Sequence, residues 1–209
     1  MIQFDKIYYS SKYDDLSRFI SYFYQIDLVR SFKPNKILEI GIGNKTVSDY
    51  LKKHEFNIDT CDIDKKLKPD FIADIKKLPF KENSYDLVLS CEVLEHLPFS
   101  DFDKALSEIW RVTKKYAVIS LPYPSVHCEL TIKSFITERL FGKNIIDFFL
   151  RIPYLFKDLK FSGIHYWEIG RKSYPIARIR NVIERRFKIR KEIRPILNSF
   201  HHFFVLEKQ

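Results

Sequence analysis

The stretch that most constrains this chain is Ile37-Leu38-Glu39-Ile40-Gly41-Ile42-Gly43. A short buried-type strand runs directly into a turn that holds two glycines. Glycine is scarce elsewhere: the 209 residues contain five, where average usage of about 7% would supply roughly fifteen. A glycine turn between strand and helix lets a ligand approach bare backbone, and the helix start beyond it offers unpaired N–H groups. In an open α/β sheet, this carboxyl end of the first strand is the expected ligand crevice. Asp62 ends the next strand, where a carboxylate can accept both hydroxyls of a ribose. Dinucleotide sites share these features, but their third glycine would fall at Thr46, which argues against a pyrophosphate.

The rest of the chain supplies the sheet. Residues 14–31 read as an amphipathic helix with Leu16, Phe19, Ile20, Phe23 and Ile26 at helical spacing. Lys33-Pro34-Asn35 stops it. After the glycine turn a helix places Val47, Tyr50 and Leu51 on one face. Strands are expected at 57–62, 71–73, 85–91 and 116–121. Ser100 and Asp103 resemble a capping box that opens a helix burying Phe102, Ala105, Leu106 and Ile109. A helix near 175–185 and strands near 187–193 and 202–206 close the chain. Strands alternating with helices imply an α/β fold. We expect a Rossmann-like three-layer sandwich, with a mainly parallel seven-strand sheet ending in an antiparallel hairpin. The organisation expected is one domain over 1–209, with a cap-like insertion at about 123–163.

Several segments together resemble class I S-adenosylmethionine-dependent methyltransferases, in particular the type 11 methyltransferase domain. The run from Ile37 to Gly43 resembles motif I. Ala73-Asp74-Ile75-x-x-Leu78-Pro79-Phe80 is similar to the adenine-binding segment. Ser84-Tyr85-Asp86-Leu87-Val88, followed by Glu92-Val93-Leu94-Glu95-His96-Leu97, is similar to the fourth strand and its loop. The resemblance implies S-adenosylmethionine as cofactor. Gly41 and Gly43 would lie against its methionine and ribose, Glu39 would orient its amino group, and Asp62 would hold the ribose hydroxyls. Asp74 would accept the adenine amino group, with the Ile75 backbone at the ring edge, and Ser90 and Cys91 would wall the methionine. This chain departs from the pattern at Lys45, where a third glycine is usual.

Methyl transfer from a sulfonium is an in-line displacement, so positioning and water exclusion supply most of the acceleration. A base is needed only where the acceptor must lose a proton. The candidates are Glu95 and His96 in the loop after the fourth strand, and His165 downstream. Glu92-x-x-Glu95-His96 is similar to a segment that helps hold a divalent metal in quinone O-methyltransferases and small-RNA 2′-O-methyltransferases, with a later histidine. The same pattern recurs in type 11 relatives without metal, so the expected set is catalytic and no metal is assigned.

Other function classes are narrowed by composition. No apolar run reaches the roughly 20 residues needed to span a bilayer. The longest in the second half, Ile145 to Phe156, is interrupted by Asp147, Arg151 and Pro153. Cys61, Cys91 and Cys128 include no C-x-x-C pair, which favours a reducing, cytoplasmic setting over a disulfide framework. The formal charge is +9. Residues 1–150 carry 22 basic and 22 acidic side chains, so the whole excess lies in 151–209. Residues 171–194 hold ten Lys or Arg: a solvated basic face, or a site for an anionic partner such as nucleic acid. Residues 132–161 carry Phe135, Leu140, Phe141, Ile145, Ile146, Phe148, Phe149, Leu150, Tyr154, Leu155 and Phe156. They read first as a helical cap packed on the sheet. The sharper readings are an apolar acceptor channel, or a face resting on a membrane. The function expected is methyl transfer to an acceptor, preferably a small or lipid-like molecule. The alternatives are RNA methylation, and a cofactor-binding accessory protein that docks on RNA or a protein partner. Nothing in the sequence assigns an oligomeric state.

Overall fold

The computed structural model describes residues 14–142, 145–154, 157–158 and 164–209. Its elements in order are α1 (Leu16–Phe32), β1 (Ile37–Ile40), α2 (Thr46–Lys53), β2 (Ile58–Asp62), β3 (Phe71–Ile72), β4 (Tyr85–Cys91), α3 (Phe99–Val112), β5 (Thr113–Pro122), β6 (Ser125–Lys133), α4 (Phe135–Phe141), β7 (Ile145–Pro153), α5 (Ile176–Ile183), β8 (Phe187–Ile193) and β9 (His201–Lys208).

Seven strands form one sheet in the order β3-β2-β1-β4-β5-β9-β8. The first five are parallel, and β9 pairs antiparallel with both β5 and β8. Residues Ile37 to Ile40 are all buried, as a central strand covered on both faces should be. One layer packs Val29 of α1 and Val47 and Leu51 of α2 against Ile37, Leu87, Val118 and Phe203. The opposite layer packs Phe102, Leu106 and Ile109 of α3 and Ile179 and Ile183 of α5 against Leu38, Val88, Ile119 and Phe204. The expected fold class is the one observed. Each fully buried Leu, Ile or Phe contributes about 2 kcal/mol. The strand order reverses between β1 and β4, so a crevice opens at their carboxyl ends.

Three local expectations are corrected. Helix α1 buries Ser21, Gln25 and Val29, while Leu16, Phe19 and Phe23 are exposed. Ile26 still packs on the core, while the polar stripe of Ser21 and Gln25 meets the crevice. Helix α3 starts at Phe99 after Pro98, with no side-chain cap bond. Ser100 lies inside it, because proline already presets the first turn. On α2, Ser48 is buried and Tyr50 is half-exposed.

The insertion is also not a helical cap. Strands β6 and β7 form a separate two-stranded antiparallel sheet, with the short α4 between them. Val126 pairs with Ile152, Cys128 with Leu150, Leu130 with Phe148, and Ile132 with Ile146, so these eight side chains share one face. The other face carries His127, Glu129, Asp147, Phe149 and Arg151, and this is the face attached to the body. Arg194 ion-pairs with both Glu129 and Asp147 and stacks on Phe149. His127 meets the Ser199 hydroxyl at 3.0 Å, and Arg151 donates to the Ser199 carbonyl at 2.5 Å. The expectations at Leu155 and Phe156, and for the side chains of Leu140 and Phe141, lie outside the described residues.

Candidate active site

The glycine turn is held open by conformation and by contact. Gly41 has φ +82°, and a Cβ there would fall 2.2 Å from Val93 Cγ2. Gly43 also has positive φ. Lys45, the departure from the three-glycine pattern, keeps the left-handed backbone at φ +68°. Its ammonium turns away and donates to the Lys68 carbonyl at 3.0 Å. A glycine at that position would supply freedom that lysine adopts under strain.

Asp62 locks the turn to the second strand. One carboxylate oxygen accepts from the Ile42 amide at 3.0 Å and the other from the Asp64 amide at 2.8 Å. Burial raises its pKa against those hydrogen bonds. Glu39 is buried, with one oxygen lacking any partner. Burial pushes its pKa up to about 8, although the Ser48 hydroxyl pulls the other way.

These residues line a cavity of about 320 Å³, within the range of small-molecule sites. Glu39, Gly41, Gly43, Asp62, Ile75 and Cys91 all reach it, as do Glu95, His96 and His165. Two expected residues do not line it. Ser90 is fully buried on β4, with its hydroxyl unpartnered. Asp74 lies between the lining residues Ala73 and Ile75, and its carboxylate accepts from the Lys76 amide at 2.9 Å.

The far end of the cavity is a cluster of ionisable groups. The segment 164–169 crosses the loop after β4, with the Tyr166 amide on the Glu95 carbonyl and the Trp167 indole N–H on the Leu97 carbonyl. Trp167 is fully buried against Phe99 and Phe102. This anchorage sets His165 beside His96, with ring centroids 5.1 Å apart. His165 Nδ1 lies 3.0 Å from Glu168, whose other oxygen is clamped by Arg171 at 2.6 Å. His96 Nδ1 lies 2.8 Å from the Ile164 carbonyl. Both rings therefore direct Nε2 toward Glu95 Oε1, at 3.9 Å for His96 and 4.0 Å for His165. Glu95 is fully buried and neither oxygen has a hydrogen-bond partner. Burial raises its pKa well above the ordinary range and lowers that of His96. Donor atoms of Glu95, His96 and His165 lie within 4.8 Å of one another. Glu92 also lines the cavity, with its carboxylate on the Ser120 hydroxyl at 2.8 Å and 3.5 Å from His201 Nε2.

Some lining residues were not singled out from sequence. Arg18, Ser21, Tyr22 and Gln25 of α1 face the cavity, as do Asn44 and Phe200. A signal existed: positions 18, 21, 22 and 25 form a polar stripe at helical spacing. The basic segment 171–194 is less available than its composition suggests. Arg171, Arg180, Arg190 and Arg194 are ion-paired with Glu168, Glu192, Glu207 and the hairpin. Arg185 and Arg186 both pair with Asp103 of α3, and Arg178 stacks on Phe99 and Tyr174. Lys172, Lys188 and Lys191 are exposed.

The sheet order, the glycine turn with its following carboxylates and the cavity at the strand reversal lie together at one end of the sheet. Residues 38–121 match the family model described as "Methyltransferase domain". The match spans the glycine turn, the carboxylates after it and strands β1 to β5. Among individual proteins, the chain is 28% identical over 195 residues to an uncharacterised protein of Methanocaldococcus jannaschii, covering 86% of this chain and 82% of that one. Its fold is similar to the PH0226 protein of Pyrococcus horikoshii, with TM-score 0.65 at 14% identity over 99% of this chain and 100% of the other. It is also similar to magnesium protoporphyrin IX methyltransferase of Synechocystis with bound S-adenosylhomocysteine. That TM-score is 0.62, at 15% identity over 93% of this chain and 84% of the other. Among the described residues no helix is long and apolar enough to cross a membrane.

Proposed function

We propose that this protein moves the methyl group of S-adenosylmethionine to a small or lipid-like acceptor bearing a protic nucleophile. One observation carries the reading: a single cavity begins on Gly41, Gly43 and Asp62 and ends on Glu95, His96 and His165. The first group takes the cofactor. Glu39 receives its ammonium, Asp62 its ribose hydroxyls, the Ile75 backbone meets its adenine edge, and Cys91 backs its methionine. The second group faces the methyl. The acceptor's lone pair forms the new bond to the methyl carbon as the carbon–sulfur bond breaks, and that bonding pair stays on sulfur as the thioether. The acceptor's proton passes to His165 Nε2, the ring nitrogen left free by the Glu168 contact. Glu95 and His96 shape the polarity of that end. The three unpaired thiols fit a reducing, cytoplasmic setting.

The orphaned Glu95 oxygens favour a second reading of the same site. Two imidazoles turned by their other nitrogens and one buried carboxylate suit a divalent cation, which would polarise an acceptor hydroxyl. Activity that survives exhaustive chelation removes that reading. The acceptor itself is found with labelled methyl donor and fractionated lipid, RNA, protein and small-molecule pools. Label in the lipid or small-molecule pool is the expected result. Label confined to RNA, or no label despite tight cofactor binding, overturns the acceptor class.

A further inference from the structure

We infer that the β6–β7 hairpin is an amphipathic plate that lies on an anionic lipid bilayer with its apolar face down. Its amphipathicity is reversed with respect to the body. The charged face is the one that packs inward, through Arg194 to Glu129 and Asp147 and through His127 and Arg151 to Ser199. The apolar face is open to solvent: Leu150 is 68% exposed, Phe148 60%, Ile152 58%, Leu130 57% and Val126 56%. A contiguous apolar patch of this kind marks an interaction surface.

The chemistry of the face selects the occupant. None of its eight side chains is charged, and none is a hydroxyl or an amide. A protein partner would normally meet about one hydrogen bond per 100–200 Å² and a polar rim. Hydrocarbon asks for no such partner. Among the described residues the two strands pair with nothing else, so lying flat keeps their outer backbone groups at headgroup level, where they stay hydrated. The tip adds depth and charge. Phe135 and Ile136 at the start of α4 are 79% and 52% exposed, beside exposed Lys133, Glu138 and Arg139, whose charges leave the tip net positive. Such a mixture of apolar anchors and flanking cations binds anionic interfaces. The plate also sits beside the cavity, because its anchor residue Ser199 precedes Phe200, which lines the cavity and is 38% exposed. Binding would set the cavity next to the bilayer surface, whatever the acceptor proves to be.

The test uses the full chain and vesicles of phosphatidylglycerol and phosphatidylcholine, without cofactor or acceptor, so its outcome is separate from that of methyl transfer. Wild type is expected to co-sediment with them. The double substitution Leu130→Asp and Phe148→Asp should lower the bound fraction at least tenfold, with circular dichroism and S-adenosylmethionine binding unchanged. A second readout needs no substitution. Cys128 lies exposed on the plate, whereas Cys61 is buried and Cys91 is partly covered in the cavity. An environment-sensitive fluorophore on Cys128 should shift to the blue when vesicles are added. Wild type that neither co-sediments nor shifts overturns the inference. So does vesicle binding that the double substitution leaves intact, or a dimer in light scattering that the substitution dissolves while vesicles go unbound.

Discussion

Glu39 sits at the first turn of the site with a carboxyl that burial keeps protonated near neutral pH. Its folded value of about 8 is above the ordinary 4.5, so the stability it contributes is complete below about 4.5 and is lost as pH rises through 8. A cofactor ammonium would supply the missing counter-charge. Glu39→Gln should therefore raise the melting temperature of the cofactor-free protein at pH 8.5, and weaken S-adenosylmethionine binding about tenfold. Melting curves and calorimetry check both halves, and the two must move in opposite directions. Lys45 makes a different residue-scale case. Its left-handed backbone costs about 1 kcal/mol, and its exposed bond to Lys68 returns little. Lys45→Gly should stabilise the protein by up to about 1 kcal/mol in urea unfolding. A loss of stability would show that the lysine contact outweighs the backbone strain.

At the scale of elements, the closing hairpin is tied to α5 by one carboxylate. Burial alone would raise the pKa of Glu192, but hydrogen bonds from His202 and Arg180 hold it down at about 2. Its stabilisation is present above about 4.5 and fades as pH falls toward 2. Glu192→Gln should cost about 2 kcal/mol at neutral pH and flatten the acid limb of a stability–pH profile. An unchanged acid limb would place that titration elsewhere. The elements also show what sequence made legible. Strand positions from β1 to β5 and the face of α3 could be read, because each buries its apolar residues in the core. Helix α1 could not be oriented that way: Ser21 and Gln25 are buried because they line the cavity, and Leu16, Phe19 and Phe23 turn outward. The hairpin was missed for a related reason. Its alternation is that of a half-buried strand, but its apolar half is the exposed one, and aromatic density alone suggested a cap.

At the scale of the molecule, the chain separates its tasks by position. The net-neutral first 150 residues hold the glycine turn and most of the cavity lining. The basic remainder spends its arginines largely within the fold: Arg185 and Arg186 at Asp103, Arg194 on the hairpin. The lining residues Glu39, Gly41, Gly43 and Asp62 were legible because the backbone of a strand-to-helix turn fixes them in sequence order. The opposing end was only partly legible, since Glu95, His96 and His165 meet through a segment some seventy residues downstream that Trp167 anchors. The most direct measurement is a calorimetric titration of S-adenosylmethionine into wild type and Gly41→Ala. We expect one site per chain in wild type, no binding of NAD, and at least a tenfold loss in Gly41→Ala, whose new methyl would press on Val93. Wild type that does not bind S-adenosylmethionine, or binds NAD in its place, would contradict this expectation.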